Sequence, residues 1–404
     1  MTLFILLALV SAVVTFGLSI VVLKLSHRYR LYPKIRERDV HTRPTPRLGG
    51  IAMFFGILVA FGVAYLVASQ VAPLRIIFAE PGRIIAILGA ALLIVLLGVA
   101  DDLWELDWMT KLAGQFIAAG LVAWKSVQIY SLPIPGPTIF SGWMSVVLTV
   151  IVIVIVMNMI NFIDGLDGLV AGVALIANGV FFLYSYLLAR DQSPTNYFNL
   201  ASLIAAVLVG ACLGFLPLNW RPAKLFMGDA GALLVGLLMA TSAIAVTGQV
   251  DLTSVNRSQL FPAFIPIILP VAILIIPLLD FGLAVFRRVR AGKSPFSADR
   301  QHLHHRLLDM GHSHLHAVLI FYGWTAAASV GCLLYFVLPV YLKLPTWYAT
   351  VFIVLALLAC TVVTLAPLSR RKAVEAVSQL AHAEPRRPQE FARFDRLDEA
   401  AEKA

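Results

Sequence analysis

The sequence predicts an all-α, polytopic integral membrane protein with about eleven transmembrane helices, its N-terminus outside and its C-terminus cytoplasmic. Three observations carry this. The 404 residues are 60% hydrophobic and 13% charged, with a mean hydropathy of +0.88. Soluble domains run about 45–50% apolar and about 25% charged, so a soluble enzyme, a disordered chain and a fibrous repeat are excluded. Apolar runs recur at the roughly 20-residue length that crosses a ~30 Å hydrocarbon core. The Lys and Arg residues segregate to alternate connections, as the positive-inside rule requires.

The candidate spans are roughly 3–25, 49–69, 83–100, 112–124, 144–162, 169–189, 199–218, 232–248, 263–285, 317–339 and 347–367. The first lacks a basic start and a small-residue cleavage site and runs too long for a signal peptide, so it counts as a helix. The second opens at Gly49-Gly50, after a connection stiffened by Pro44 and Pro46. The third ends at Asp101-Asp102, and the fourth is the shortest. The fifth is an unbroken apolar run, Val150–Met157, giving way to polar residues. Two Asp-Gly steps separate it from the sixth. A Gly-Asp-Ala-Gly segment precedes the eighth, and the ninth holds an intramembrane acid, Asp280, read as structural. A histidine-rich connection precedes the last two.

With the N-terminus outside, 25 of the 31 Lys and Arg fall on the inner side, counting Lys24 at the inner end of the first span together with the inner connections and the C-terminal tail. The inner connections are 26–48, 101–111, 163–168, 219–231 and 286–316. Residues 1–367 read as one transmembrane catalytic domain and 368–404 as a charged cytoplasmic tail, part helical and without chemistry. All nine histidines lie on the inner side, six of them between His302 and His316. Of the fifteen carboxylates before the tail, only Glu80, Asp191 and Asp251 fall outside. Cys212, Cys332 and Cys360 sit in apolar runs, which excludes a disulfide framework and a cysteine zinc site.

Chemistry is therefore concentrated on one face. Asp101 and Asp102 are adjacent carboxylates at a helix end near the interface. That placement is costly and the helix dipole disfavours it. They read either as a solvated helix stop or as oxygen ligands suited to Mg²⁺. In Asn158-Met-Ile-Asn161-Phe-Ile-Asp164-Gly-Leu-Asp167-Gly-Leu169, polar residues recur every three positions, and a plain turn does not need the two asparagines. Phe226-Met-Gly228-Asp229-Ala-Gly231 leads into a helix N-terminus whose free N–H groups suit a phosphate, with Arg221 and Lys224 nearby. Arg300, His302, His304, His305 and Arg306 form a cationic cluster that fits pyrophosphate better than zinc. His312, His314 and His316 read as loop features. Arg47 and His41 belong to the basic first connection, which alone suggests an anionic-lipid contact. Together this is an inventory for metal-assisted phosphoryl transfer. The rival class is an ion-coupled transporter. Its acids should lie near the bilayer midplane, and no internal repeat is visible.

Asp101-Asp102, the Asn158–Leu169 run, the Phe226–Gly231 segment and His302-x-His-His resemble, in order over about residues 36–310, the polyprenyl-phosphate N-acetylhexosamine-1-phosphate transferases of glycosyltransferase family 4. The resemblance implies an integral membrane enzyme using Mg²⁺, with Mn²⁺ as a substitute. It would move a sugar 1-phosphate from a UDP-sugar to a polyprenyl phosphate and release UMP, starting lipid-linked cell-envelope glycans on the cytoplasmic face of the bacterial plasma membrane. Pro44-Thr-Pro-Arg47-Leu-Gly-Gly50 and His304-His305-Arg306 resemble the branch that uses UDP-GlcNAc rather than UDP-MurNAc-pentapeptide. Arg38-Asp-Val-His41 is similar to actinobacterial members and implies a decaprenyl rather than an undecaprenyl acceptor. Another UDP-N-acetylhexosamine donor, or UDP-MurNAc-pentapeptide, stays open. Ala232 follows Gly231 where the family often has serine.

On this resemblance Asp101, Asp102, Asp164, Asp167, His302, His304 and His305 are the expected catalytic residues. His41, Arg47, Asn158, Asn161, Lys224, Phe226, Arg300 and Arg306 are expected to bind substrate, with Phe226 against the uracil. Asp229, Asp101, Asp102 and Asp164 are the expected metal ligands. The expected partners are polyprenyl phosphate, UDP-GlcNAc, the bilayer and a second copy of the chain, with no nucleic acid.

Overall fold

The structure is a computed structural model that describes residues 1–32, 45–125, 127–129, 131–132, 138–139, 141–192, 199–247, 303–382 and five isolated positions between 282 and 292. Twelve α-helices of four residues or more lie within these stretches, besides a short π-helix at Leu338–Leu342. They are α1 (Thr2–Tyr29), α2 (Gly49–Ala68), α3 (Ala72–Arg75), α4 (Pro81–Trp104), α5 (Trp108–Trp124), α6 (Gly142–Ile163), α7 (Leu169–Gln192), α8 (Leu200–Asn219), α9 (Gly228–Thr247), α10 (Leu303–Asp309), α11 (His314–Val337) and α12 (Trp347–His382). A minimal antiparallel ribbon pairs Ser131 with Ile139 and Leu132 with Thr138.

Nine of the helices are long and apolar enough to cross a membrane. They correspond to nine of the eleven expected spans. The expected fourth span is α5, a real helix of 17 residues, about 25 Å long at 1.5 Å per residue. The expected ninth span, with Asp280, lies outside the described residues apart from the isolated position 282. Residues 33–44, the stretch 293–302 and the tail beyond 382 also lie outside them. The structure starts α9 at Gly228 rather than 232, because the Gly-Asp-Ala-Gly segment is itself the helix's first turn. It also carries α12 through the expected boundary at 367 to His382.

Local chemistry sets several ends. Pro81 opens α4 at a position where its missing N–H costs nothing. Asp107 caps α5 by accepting the Thr110 N–H, and Asn199 caps α8 through the Ser202 N–H. Ser313 caps α11 in the same way through the His316 N–H.

The helices pack around α9. Of its most apolar 18-residue stretch, 89% is buried, against 6% for that of α12, so α9 is the central helix and α12 a peripheral one. The bundle closes on α9 because small residues line its contacts. A Cβ on Gly98 of α4 would overlap the Ala230 backbone, and one on Gly50 of α2 would overlap Gly231. Between apolar helices in a membrane, such close backbone approach supplies the packing that burial supplies in water. On the far side α1 lies on α8, where Gly210 and Gly214 meet the backbone of Ala8 and Ala12.

Candidate active site

Five helix ends meet on one face of the bundle: the C-termini of α4 and α6 and the N-termini of α2, α5 and α9. The connection from α4 to α5 is three residues, Glu105 to Asp107. Glu105 reverses the chain with φ +52, and its N–H donates to the Asp101 carbonyl. The Leu106 N–H donates to Asp101 Oδ1 at 2.9 Å. Asp107 then starts α5, and four residues on comes Lys111. Its Nζ donates to Asp101 Oδ2 at 2.9 Å and to Asp229 Oδ2 at 3.5 Å. Asn161, near the end of α6, donates from Nδ2 to Asp229 Oδ1 at 3.0 Å. One cation and one amide thus hold two carboxylates that are far apart in the sequence. Unpaired, those carboxylates would be costly at this depth.

Asp102 has a different local task. Its Oδ1 accepts the Asp229 N–H at 3.4 Å, so the carboxylate faces the N-terminus of α9. Free N–H groups and the positive dipole end favour an anion there. Its Oδ2 is buried and, among the described residues, meets no hydrogen-bond donor.

The segment before α9 is tied to the start of α2. The Phe226 N–H donates to the Pro46 carbonyl, the Gly49 N–H to the Phe226 carbonyl and the Gly50 N–H to the Met227 carbonyl, at 2.8 to 3.0 Å. Gly228 adopts φ +69, and a Cβ there would overlap the Arg47 carbonyl and Asp102 Oδ2. Only glycine meets both conditions at once.

The Asp-Gly-Leu-Asp-Gly turn forms a second wall. Asp164 ends α6 and is half-buried. Burial, aided by the Asp229 carboxylate, pushes its carboxyl up to about 7 against the pull of Arg47. Asp167 Oδ2 accepts the Ala223 N–H at 3.2 Å, which ties the turn to the segment after α8. Asn219 reinforces this tie, accepting the Gly168 N–H at 3.1 Å and donating to the Leu225 carbonyl at 3.0 Å.

Of the expected residues, the structure brings Asp101, Asp102, Asn161, Asp164 and Asp229 together, with Arg47 acting electrostatically on Asp102 and Asp164. Asp167, Lys224 and Phe226 border them on the adjoining turns. Asn158 goes elsewhere. Its Nδ2 donates to Gln115 Oε1 at 2.5 Å and to the Val154 carbonyl at 2.8 Å, joining α6 to α5 within the bundle. Such interhelical amide bonds are a common use of polar residues in apolar helices. Arg306 is exposed on α10. His304 and His305 fall in α10 with their side chains outside what is described. His41, Arg300 and His302 lie outside the described residues altogether. Ala232 is fully buried, so the helix core rather than the open face receives its methyl group.

The expected metal set of Asp229, Asp101, Asp102 and Asp164 is not drawn into a chelating group. Among the described residues no three His, Cys, Asp or Glu side chains converge closely enough to hold an ion by themselves. The reason is visible in the contacts: Asp101 is taken by Lys111 and Leu106, and Asp102 by the start of α9. Mg²⁺, however, is commonly held by one or two carboxylates together with substrate phosphates rather than by an all-protein cage. Hard oxygen donors, with the buried Asp102 Oδ2 among them, fit that mode.

Lys111 is the residue that sequence reasoning missed. Its signal was a lone cation just past an acid pair at a span end. Gln115 and Asn219 were also missed as structural partners of the motif asparagines and glycines.

Residues 84–247 match the model of glycosyl transferase family 4, a segment that contains Asp101, Asp102, Asp164, Asp167 and Asp229. The chain is 40% identical over 330 residues to decaprenyl-phosphate N-acetylglucosaminephosphotransferase of Mycobacterium leprae, covering 81% of this chain and 82% of that protein. It is 31% identical over 290 residues to a probable undecaprenyl-phosphate N-acetylglucosaminyl 1-phosphate transferase of Bacillus subtilis, covering 71% and 72%. To undecaprenyl-phosphate alpha-N-acetylglucosaminyl 1-phosphate transferase of Escherichia coli K12 it is 29% identical over 317 residues, covering 77% and 78%.

Proposed function

The chain belongs to glycosyl transferase family 4, and on that premise we infer that it transfers GlcNAc-1-phosphate from UDP-GlcNAc to a polyprenyl phosphate, giving polyprenyl-diphosphate-GlcNAc and UMP. It is a multi-pass membrane enzyme. The higher identity to the mycobacterial decaprenyl enzymes, 40% against 31% and 29%, supports decaprenyl phosphate as the acceptor. The excess of Lys and Arg in the connections on the site's side supports a cytoplasmic active face in a bacterial plasma membrane.

The observation that carries the assignment of residues is the meeting of Asp101, Lys111, Asn161 and Asp229. An oxygen of the acceptor phosphate attacks the β-phosphorus of UDP-GlcNAc. A new P–O bond forms there, the bond from that phosphorus to the bridging oxygen breaks, and UMP leaves. Lys111 neutralises charge on the pyrophosphate as the bridge breaks. Asp101 accepts the acceptor's remaining proton where one is present. A phosphate monoester has its second pKa at about 6, so much of the acceptor is already a dianion at neutral pH. Asn161 fixes the rotamer of Asp229. Arg300, His302, His304, His305 and Arg306 bind the diphosphate in this reading, and Phe226 lies against the uracil. Mg²⁺, held by Asp229 with Asp102 and Asp164, would supply Lewis-acid neutralisation of the phosphate oxygens.

The acids stand at helix ends on one face rather than at mid-span, which supports an interfacial enzyme over an ion-coupled transporter. The test is a radiolabel assay on purified protein with decaprenyl phosphate, UDP-GlcNAc and Mg²⁺, and an EDTA control. Labelled butanol-soluble lipid with equimolar UMP, abolished by EDTA, is the expected result. Product from UDP-MurNAc-pentapeptide alone would overturn the donor. Undiminished product in EDTA would overturn the metal.

A further inference from the structure

Helix α11 lies beyond the residues that match the family model, yet it reaches into the Asp164–Gly168 turn. The hydroxyl of Tyr322 donates to the Gly168 carbonyl at 2.5 Å. Gly168 has φ +76, and its carbonyl also accepts the Gly172 N–H at 3.0 Å, the first helical bond of α7. The Gly168 N–H donates to Asn219 Oδ1. Both polar groups of this one residue are thus held from outside the turn, by α11 on one side and by the end of α8 on the other.

The Tyr322 ring is itself held. It is seated on Gly172 so closely that a Cβ at that position would overlap the ring and its oxygen. α11 packs along α7, which keeps the ring against Gly172. The turn it grips carries Asp164 and Asp167, and Asp167 in turn grips the segment before Phe226 through Ala223. A shift of the Gly168 peptide would therefore move both carboxylates and the wall opposite them. Sub-ångström placement matters in phosphoryl transfer, because positioning provides much of the rate.

We propose that Tyr322 is a positioning residue for the transfer reaction, setting the geometry of the Asp164–Gly168 turn through its bond to the Gly168 carbonyl. It touches neither reacting phosphate. The proposal rests on the reading that the carboxylates of this turn and of α9 serve the transfer.

The test is Tyr322→Phe in the full-length purified enzyme, which removes one oxygen and keeps the ring on Gly172. Turnover, KM for UDP-GlcNAc, KM for decaprenyl phosphate and melting temperature are measured. The expected result is a loss in kcat of about tenfold, the worth of one well-placed hydrogen bond. Both KM values and the melting temperature should stay close to wild type. Asn219→Ala, which frees the N–H of the same residue and also releases the Leu225 carbonyl, should also lower kcat, and the double variant should lose less than the product of the two single losses. A wild-type kcat in Tyr322→Phe overturns the proposal. So does a kcat loss that tracks a lowered melting temperature and disappears on cooling, since that marks a purely structural contact. Asp229→Asn is run beside them. If it keeps activity, the underlying site reading has failed; if it is dead while Tyr322→Phe is normal, only the role of Tyr322 has failed.

Discussion

Lys111 and Asp229 are 118 positions apart in the chain, yet Lys111 Nζ lies 3.5 Å from Asp229 Oδ2 while holding Asp101 Oδ2 at 2.9 Å. A single ammonium therefore offsets the repulsion between two acids that α4 and α9 bring against each other. It also presents an ammonium at the centre of the cluster. Lys111→Met should lower kcat on the order of a hundredfold, as loss of one group that stabilises transition-state charge does. Lys111→Arg should recover part of it. Steady-state kinetics on the folded variants decides; wild-type turnover in Lys111→Met would remove Lys111 from the reaction.

Asp107 governs where that ammonium stands. It caps α5 with Oδ2 on the Thr110 N–H at 3.0 Å and Oδ1 on the Thr110 hydroxyl at 2.6 Å. The same bonds draw its carboxyl below the usual carboxylate range. Asp107→Ala should fray the first turn of α5 and lower kcat several-fold. Asp107→Asn keeps a capping oxygen and should restore most of the rate. Equal rates for the two variants would show that the cap does not position Lys111.

Gly228 joins a positive φ to a space with no room for a methyl group. Gly228→Ala should cost on the order of 1–3 kcal/mol in strain and push Asp102 away from the start of α9. The measurement is the melting temperature together with turnover. A variant with both unchanged would contradict the contact of Gly228 with the Arg47 carbonyl and Asp102.

Asp164 makes a signed prediction about pH. Its carboxyl is raised from 3.8 to about 7, mainly by burial. The neutral form is thus favoured in the fold. The stability this gives is complete below the unfolded value near 3.8 and is lost progressively as pH rises through about 7. Asp164→Asn stays neutral throughout. In metal-free buffer its melting temperature should match wild type near pH 4, exceed it increasingly up to pH 7, and hold that lead above. Turnover should be abolished at every pH. A lead that shrinks with rising pH would reverse the sign and refute the burial argument.

The membrane class and most of the spans were legible in the chain because each depends on runs of residues. Hydrocarbon thickness sets the span length, and charge balance sets the orientation expected for it. The carboxylates of the site were legible too, since acids at the ends of apolar spans are costly enough to need a reason. Asn158 shows the limit. Its three-residue spacing with Asn161 suggested a shared role, yet Asn161 meets Asp229 while Asn158 bonds Gln115. Spacing alone does not say which helix each residue faces.

By itself, then, the sequence determined that this is a helical membrane protein, which of its motifs resemble the transferase family, and that its acids gather at span ends on one face. These follow from composition, periodicity and local cost. The tertiary structure alone decided which acids share a cation, that Asp102 faces a helix start, and that Tyr322 holds the turn carrying Asp164 and Asp167. Those relationships join residues from about 50 to more than 150 positions apart. The first two exist because glycines and alanines let α2, α4 and α9 close to backbone contact, the third because Gly172 leaves room for the Tyr322 ring, and neither packing has a local signature in the chain.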